Sequence, residues 1–268
     1  MVSPSNANAV LDRMENLGEY ARNAVLYGTE DIDYAYCTGV NLAVAATFED
    51  IWNGGGDYTP NSGAAELLSI SSSEDTDKGK NVTVTGLDAD GYYQTVTQAL
   101  DATDAETEEP IPTLTWTAIN RMTFDDSADP DGTVWLYKTG SAITNGVPDS
   151  MANARSSAGP GLNRTTNCFY AIPADKTGLL VYAKFGTSGA AVLGNEASLG
   201  YIYVKESGSN WRSIQSALAI VGHGNPEMPL PGGIKLPASS QVKLRASGGA
   251  SNSIIAGNMF LLLFPNVD

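Results

Sequence analysis

Few residues of this chain of 268 could do chemistry. Its one histidine, His223, stands in Val-Gly-His-Gly-Asn-Pro. A single imidazole cannot build a multi-histidine metal centre, and a serine triad needs a nucleophile elbow, yet no Gly-x-Ser-x-Gly occurs. Held by backbone contacts, His223 reads as a loop residue. Neither a Walker sequence nor a dinucleotide fingerprint between strand and helix is present. The two cysteines, Cys37 and Cys168, are 131 residues apart and belong to no CxxC. They read as buried free thiols, with a disulfide the alternative. The acidic turn Asp125-Asp-Ser-Ala-Asp-Pro-Asp-Gly132 resembles a calcium loop until it is aligned. With Gly132 at the sixth position the first is Ser127 and the twelfth is Lys138, not glutamate. Asp125, Asp126, Asp129 and Asp131 remain as candidate ligands of a cation site outside that pattern, against a solvated turn. No two carboxylates stand out as a glycosidase pair. Trp116, Trp135 and Trp211 could form a sugar platform, but a tryptophan in a strand is more often core. The sequons at Asn81 and Asn163 carry no weight without a leader.

The most unusual stretch is Thr47-Phe-Glu-Asp-Ile-Trp-Asn-Gly-Gly-Gly-Asp-Tyr-Thr-Pro60, with three consecutive glycines between Trp52 and Tyr58. Three glycines give up backbone entropy and pack nothing, so no ordinary strand or helix holds them. The chain must turn there, with the two aromatic rings anchoring a rigid corner that is structural or a contact loop.

Around these features the sequence is β-patterned. Residues 5–26 predict an amphipathic helix, with Val10, Met14, Leu17, Ala21 and Val25 on one stripe and Pro4 at its start. That stripe must lie on the body or on a neighbouring subunit. From Ile32 to Val44 the period becomes two. Further strands are expected over 64–71, 81–87, 92–100, 114–124 and 133–138, with 81–100 forming a hairpin around Asp88-Ala-Asp-Gly. The run 101–112, with five carboxylates and two prolines, predicts a solvated loop. Residues 141–165, rich in Gly, Ser and Asn, predict a linker or long loop. About seven strands follow over 166–268. The prolines confine 228–237 to an edge or loop, and the apolar 254–264 reads as a strand buried on both faces. The fold class expected is all-β: two β-sandwich or jelly-roll-like domains, 29–140 and 166–268, behind an amino-terminal helical arm, 1–28.

Charge divides along the same line. Residues 1–150 carry 25 acids and 6 bases (−19), and residues 151–268 carry 5 and 9 (+4), giving −15 in all. The acidic half should face solvent and repel nucleic acid; the other half should meet a partner. The polar start lacks a signal peptide's charged and apolar regions, and no apolar run is long enough to span a membrane.

The run Thr47 to Tyr58, then Val82-Thr-Val-Thr-Gly-Leu-Asp-Ala-Asp and Asn120-Arg, resembles the amino-terminal half of a family of virion structural proteins of tailed bacteriophages common in aquatic phages. Phe169-Tyr-Ala-Ile-Pro-Ala-Asp-Lys-Thr-Gly-Leu-Leu, the proline-rich segment, Val242-Lys-Leu-Arg-Ala and the closing apolar strand are similar to its second half. The resemblance spans residues 28–264, and Thr59-Pro60 departs from the aromatic residue expected after the glycines. It implies part of a phage particle, assembled in the host cytoplasm: a non-enzymatic capsid decoration or cement protein, without cofactor, contacting the major capsid protein or other virion proteins. A homotrimer or other homo-oligomer would cover its apolar edges, with no role for nucleic acid or membrane. Val10, Met14, Leu17, Trp52 and Tyr58 are the expected contact residues. The alternative is a tail-associated or fibre protein that binds a host-surface glycan.

Overall fold

The computed structural model describes residues 32–58, 64–124, 129–188, 197–220, 227–248 and 253–266. The expected helix over 5–26, with Val10, Met14 and Leu17, lies outside them, as do His223, Asp125 and Asp126. The described chain is all-β apart from two short 3-10 turns, and every strand pair in it is antiparallel.

Four larger sheets make up the body. The first runs in the order Asp33–Val44, Ser253–Pro265, Lys176–Ser188, Glu227–Leu236. The second runs Phe169–Ala171, Gln241–Ser247, Ala197–Lys205, Arg212–Ile220, with the two-residue strand Glu49–Asp50 also paired to Gln241–Ser247. Inward residues of these two sheets, among them Leu180, Phe185, Ile202, Leu244, Met259 and Leu261, share one buried cluster. The third sheet runs Ala154–Ala158, Val134–Lys138, Glu66–Ser72, Glu109–Trp116, and the fourth Tyr93–Ala99, Asn81–Leu87, Ala118–Phe124. They share a second cluster around Ile70, Val84, Trp116, Met122 and Leu136. Each such side chain, once buried, contributes about 1.5–3 kcal/mol, so the two clusters hold most of the stabilising burial. A third cluster joins them: Trp52, Tyr58, Leu87, Ala118, Trp135, Tyr137, Ala154, Phe169 and Ala171.

The expected 81–100 hairpin forms in full register, from Asn81 opposite Ala99 to Leu87 opposite Tyr93. The proline-punctuated 227–236 is an edge strand, as its prolines require. The apolar 253–265 is central in its sheet, but buried and half-buried residues alternate along it up to Phe260, and only Leu261–Leu263 are buried on both faces. Three expectations are corrected. Strand Asp33–Val44 does not join the acidic half. It pairs with Ser253–Pro265, so the division into 29–140 and 166–268 does not follow the sheets. The expected loop over 101–112 ends in strand Glu109–Trp116, and Pro110 and Pro112 are tolerated because that strand is an edge. Segment 141–165 is no bare linker. It forms a small hairpin, Ile143–Thr144 with Val147–Pro148, turning through Asn145 and Gly146 at positive φ. It then supplies the fully buried strand Ala154–Ala158 of the third sheet.

Candidate functional site at the glycine corner

The corner at Trp52–Tyr58 sits where the halves meet. Trp52 and Tyr58 are 0% and 3% exposed, so both expected contact rings face this chain's own core. The rings lie 5.3 Å apart edge-on, with Trp135 and Phe169 around them. Each glycine has its own reason. A Cβ at Gly54 would meet the Trp52 ring at 2.3 Å, so the indole lies flat against the bare backbone. Gly55 and Gly56 hold φ of +66° and +62°, the left-handed region. That tight path aims two carbonyls inward, and the Trp52 indole N–H donates to Gly55 O at 2.9 Å.

Beneath the corner is a buried ionic knot. Asp50, 2% exposed, accepts from the Tyr58 amide and the Lys243 ammonium, both at 2.7 Å on Oδ2. The Arg245 Nε lies 3.1 Å from Oδ1 without hydrogen-bond alignment. Arg245 also bonds Asp57 and the Phe48 carbonyl. The Lys243 ammonium stands 4.7 Å over the Trp211 ring, a cation–π contact. Burial pushes the Asp50 carboxyl above its ordinary value and lowers the Lys243 ammonium, while each opposes the other's shift through their contact. Asn41 ties the edge strand in, donating to Glu49 at 3.1 Å and to Asp50 O at 3.2 Å. Tyr58 Oη donates to Arg155 O at 2.5 Å, and Arg155 bonds Glu66 through two nitrogens. Bases of residues 151–268 thus meet acids of residues 1–150 inside one molecule: Lys243 and Asp50, Arg155 and Glu66, Lys176 and Asp33. The charge asymmetry is in part a self-complementary seam.

The acidic turn meets a cation of another kind. The Lys80 ammonium bonds Asp77 at 2.7 Å, Asp131 at 3.2 Å and the Asp129 carbonyl at 2.9 Å. Of the four candidate ligands, the Asp131 side chain and the Asp129 carbonyl are thus partners of a lysine. Asp77, missed in the sequence, is the centre: fully buried, it also accepts from Ser72 and from the amides of Asp131 and Gly132. Its Asp-x-x-Lys spacing to Lys80 was the only signal that could have found it. No group of three metal-type side chains converges among the described residues. Trp116 and Trp135 are core, which removes them as a sugar platform. Cys37 and Cys168 are free and buried; burial pushes Cys37 up to about 12 and Cys168 well above its ordinary value, so neither is a ready nucleophile.

Away from the corner, a groove of about 220 Å³ lies between Asp33–Val44 and the fourth sheet, with Tyr34, Tyr36 and Tyr93 along it.

No family model matches the chain, and no curated protein matches it. Among solved structures it is similar to the VP2 subviral particle of infectious bursal disease virus, at 12% identity over 92% of this chain and 78% of that one, TM-score 0.23. A second similarity is to the Gx strain of the same virus, at 13% identity over 89% of this chain and 73% of that one, TM-score 0.24. Tripeptidyl peptidase 2 is similar at 10% identity, over 91% of this chain but 21% of that one, TM-score 0.23. At such TM-scores viral capsid particles and a peptidase stand level, and none of these likenesses carries an argument about function.

Proposed function

We propose that this chain is a non-enzymatic structural protein of a bacteriophage particle: a capsid decoration or cement protein that stabilises the head through protein contacts. The two pairs of facing sheets are read as jelly-roll-like sandwiches, and the unpaired edges, such as Tyr93–Ala99, as surfaces a homotrimer would cover. The observation that carries the reading is the pairing of Asp33 with Leu263, continuing to Val44 with Ser253. It brings the start and the close of the body to one pole. Asp33 stands at that pole, so an arm over 1–28 carrying the Val10, Met14 and Leu17 stripe would leave the body there toward a capsid lattice. The sequence resemblance points the same way.

The test is stoichiometry. Quantitative mass spectrometry of purified virions should give hundreds of copies per particle; a dozen or fewer overturns the decoration reading. Removing residues 1–26 should weaken assembly onto the particle while leaving the β-body folded; loss of the fold would instead place that segment in the core. A second reading, a tail-associated or fibre protein that binds a host-surface glycan, draws on the tyrosine-lined groove, and blocking of infection by the purified protein would favour it.

A further inference from the structure

The groove between Asp33–Val44 and the fourth sheet differs in chemistry from the rest of the chain. Alternation along the strand sends Ala35 and Cys37 inward and leaves Tyr34 and Tyr36 outward, 55% and 50% exposed. Two residues of strand separate their rings by about 7 Å. Tyr93, from the neighbouring sheet, also lines the groove. Arg121 and Arg164 line it as well, both exposed. Neither guanidinium has a carboxylate partner among the described residues. No aspartate or glutamate is among the described residues of the groove, although the chain's net charge is −15. Asn167 lines it too, 3% exposed, with both amide atoms buried and without a hydrogen-bond partner. Buried amides are rarely left so, because the unmet donor and acceptor are costly.

We infer that this groove binds a carboxylate-bearing saccharide, such as a uronic acid residue of a surface glycan. Tyr36 and Tyr93 offer ring faces to the C–H face of a sugar ring, while the Tyr34 ring rests against Phe260, 6.1 Å between centroids. The unpaired guanidiniums provide charge-assisted, fork-shaped donors for its carboxylate. The Asn167 amide, with two N–H donors and a carbonyl acceptor, is unmet at the wall of the groove, where a small shift would bring it to a sugar hydroxyl. A single carboxylate draws on the two guanidiniums at contact range, whereas a polyphosphate chain would also meet Asp33 and Asp175, whose charges reach Tyr93, and the field of the whole acidic protein. The inference concerns the groove's chemistry and holds at either place in the particle, so a copy number that overturns the decoration reading leaves it standing.

Methyl β-D-glucuronide and methyl β-D-glucoside differ only at carbon 6 and make a matched pair of probes for the full chain. Calorimetric titration and ligand-observed NMR should give roughly tenfold or tighter preference for the glucuronide, weakening as salt rises. Arg121→Ala and Arg164→Ala should each cut that preference without moving thermal unfolding. Tyr36→Ala should lose both sugars and Tyr36→Phe should keep them, which separates a lost ring from a lost fold. Equal affinity for the two probes, no binding at tens of millimolar, or a preference that survives in the double arginine variant overturns the inference. So does tighter binding of inorganic phosphate or oligothymidylate, which would assign the groove to phosphate chemistry.

Discussion

Two buried aspartates solve the same problem by opposite routes. Asp77 takes two side-chain donors from nearby and two amides from a single turn 54 and 55 residues on. Lys80 is three residues on, Ser72 five back, and the amides of Asp131 and Gly132 come from one turn. Burial would raise its carboxyl, but those four donors outweigh it and hold the group below its ordinary value. Asp50 has one backbone donor and two cations that arrive from nearly 200 residues away. There burial wins and the carboxyl is raised. Backbone amides that stabilise an anion are placed by the local fold, whereas cations that must themselves be buried return less, since each loses its own hydration. The Asp77 knot therefore pins the turn at Asp131–Gly132 onto its own. The Asp50 knot specifies how two halves of the chain meet.

The largest effect that can break this contrast is at Asp50. Asp50→Leu leaves the Lys243 ammonium buried and unpaired, and should cost about 3–5 kcal/mol in urea unfolding. The double variant Asp50→Leu with Lys243→Met should recover most of that. If it does not, the knot is worth more than its desolvation and the contrast fails. Asp77→Ala orphans two amides, and about 3 kcal/mol is expected at neutral pH from ~1–3 kcal/mol for each unmet group. The sign with pH follows from the lowered carboxyl. Its contribution is complete above the ordinary value of 3.8 and is lost as pH falls below it through the folded value. Thermal unfolding of Asp77→Asn should therefore depend less on pH below about 4 than that of the parent. Gly54→Ala sharpens the Asp50 side. A methyl driven into the Trp52 ring should cost about 1–3 kcal/mol and loosen the corner that presents the Tyr58 amide, with little change near Asp77, readable by amide exchange. Asp131→Asn should be smallest, at most about 1 kcal/mol, because that carboxylate is largely exposed and its bond to Lys80 is screened.

How much of this was legible depended on the range over which each element is determined. The hairpin 81–99 was legible because alternation, turn and return lie within twenty residues. The corner was legible as a turn, since three glycines have few other uses, but the inward aim of Trp52 and Tyr58 was not, because the rings they pack on come from Trp135 and Phe169. Strand Ala154–Ala158, Ala-Arg-Ser-Ser-Ala, was illegible by composition. It is buried only because Glu66 receives the Arg155 fork and the third sheet supplies the ladder. The prolines of 109–116 signalled a loop, whereas on a sheet edge they remove only a donor that no strand needs. The groove had no motif, since Tyr34, Tyr93, Arg121 and Arg164 come from four places in the chain.

The pairing of the first and last described strands also sets a clock. Val44 faces Ser253, a separation of 209 residues. At the usual pace of about 5–20 residues per second, Asp33–Val44 waits roughly 10–40 s after synthesis before its partner exists. For that time the apolar face of a twelve-residue strand has no sheet to join, and the first sheet cannot close until Ser253–Pro265 has been made. The third and fourth sheets, whose partners lie closer in sequence, can assemble meanwhile, so this body is expected to be built from its middle outward and sealed by its ends.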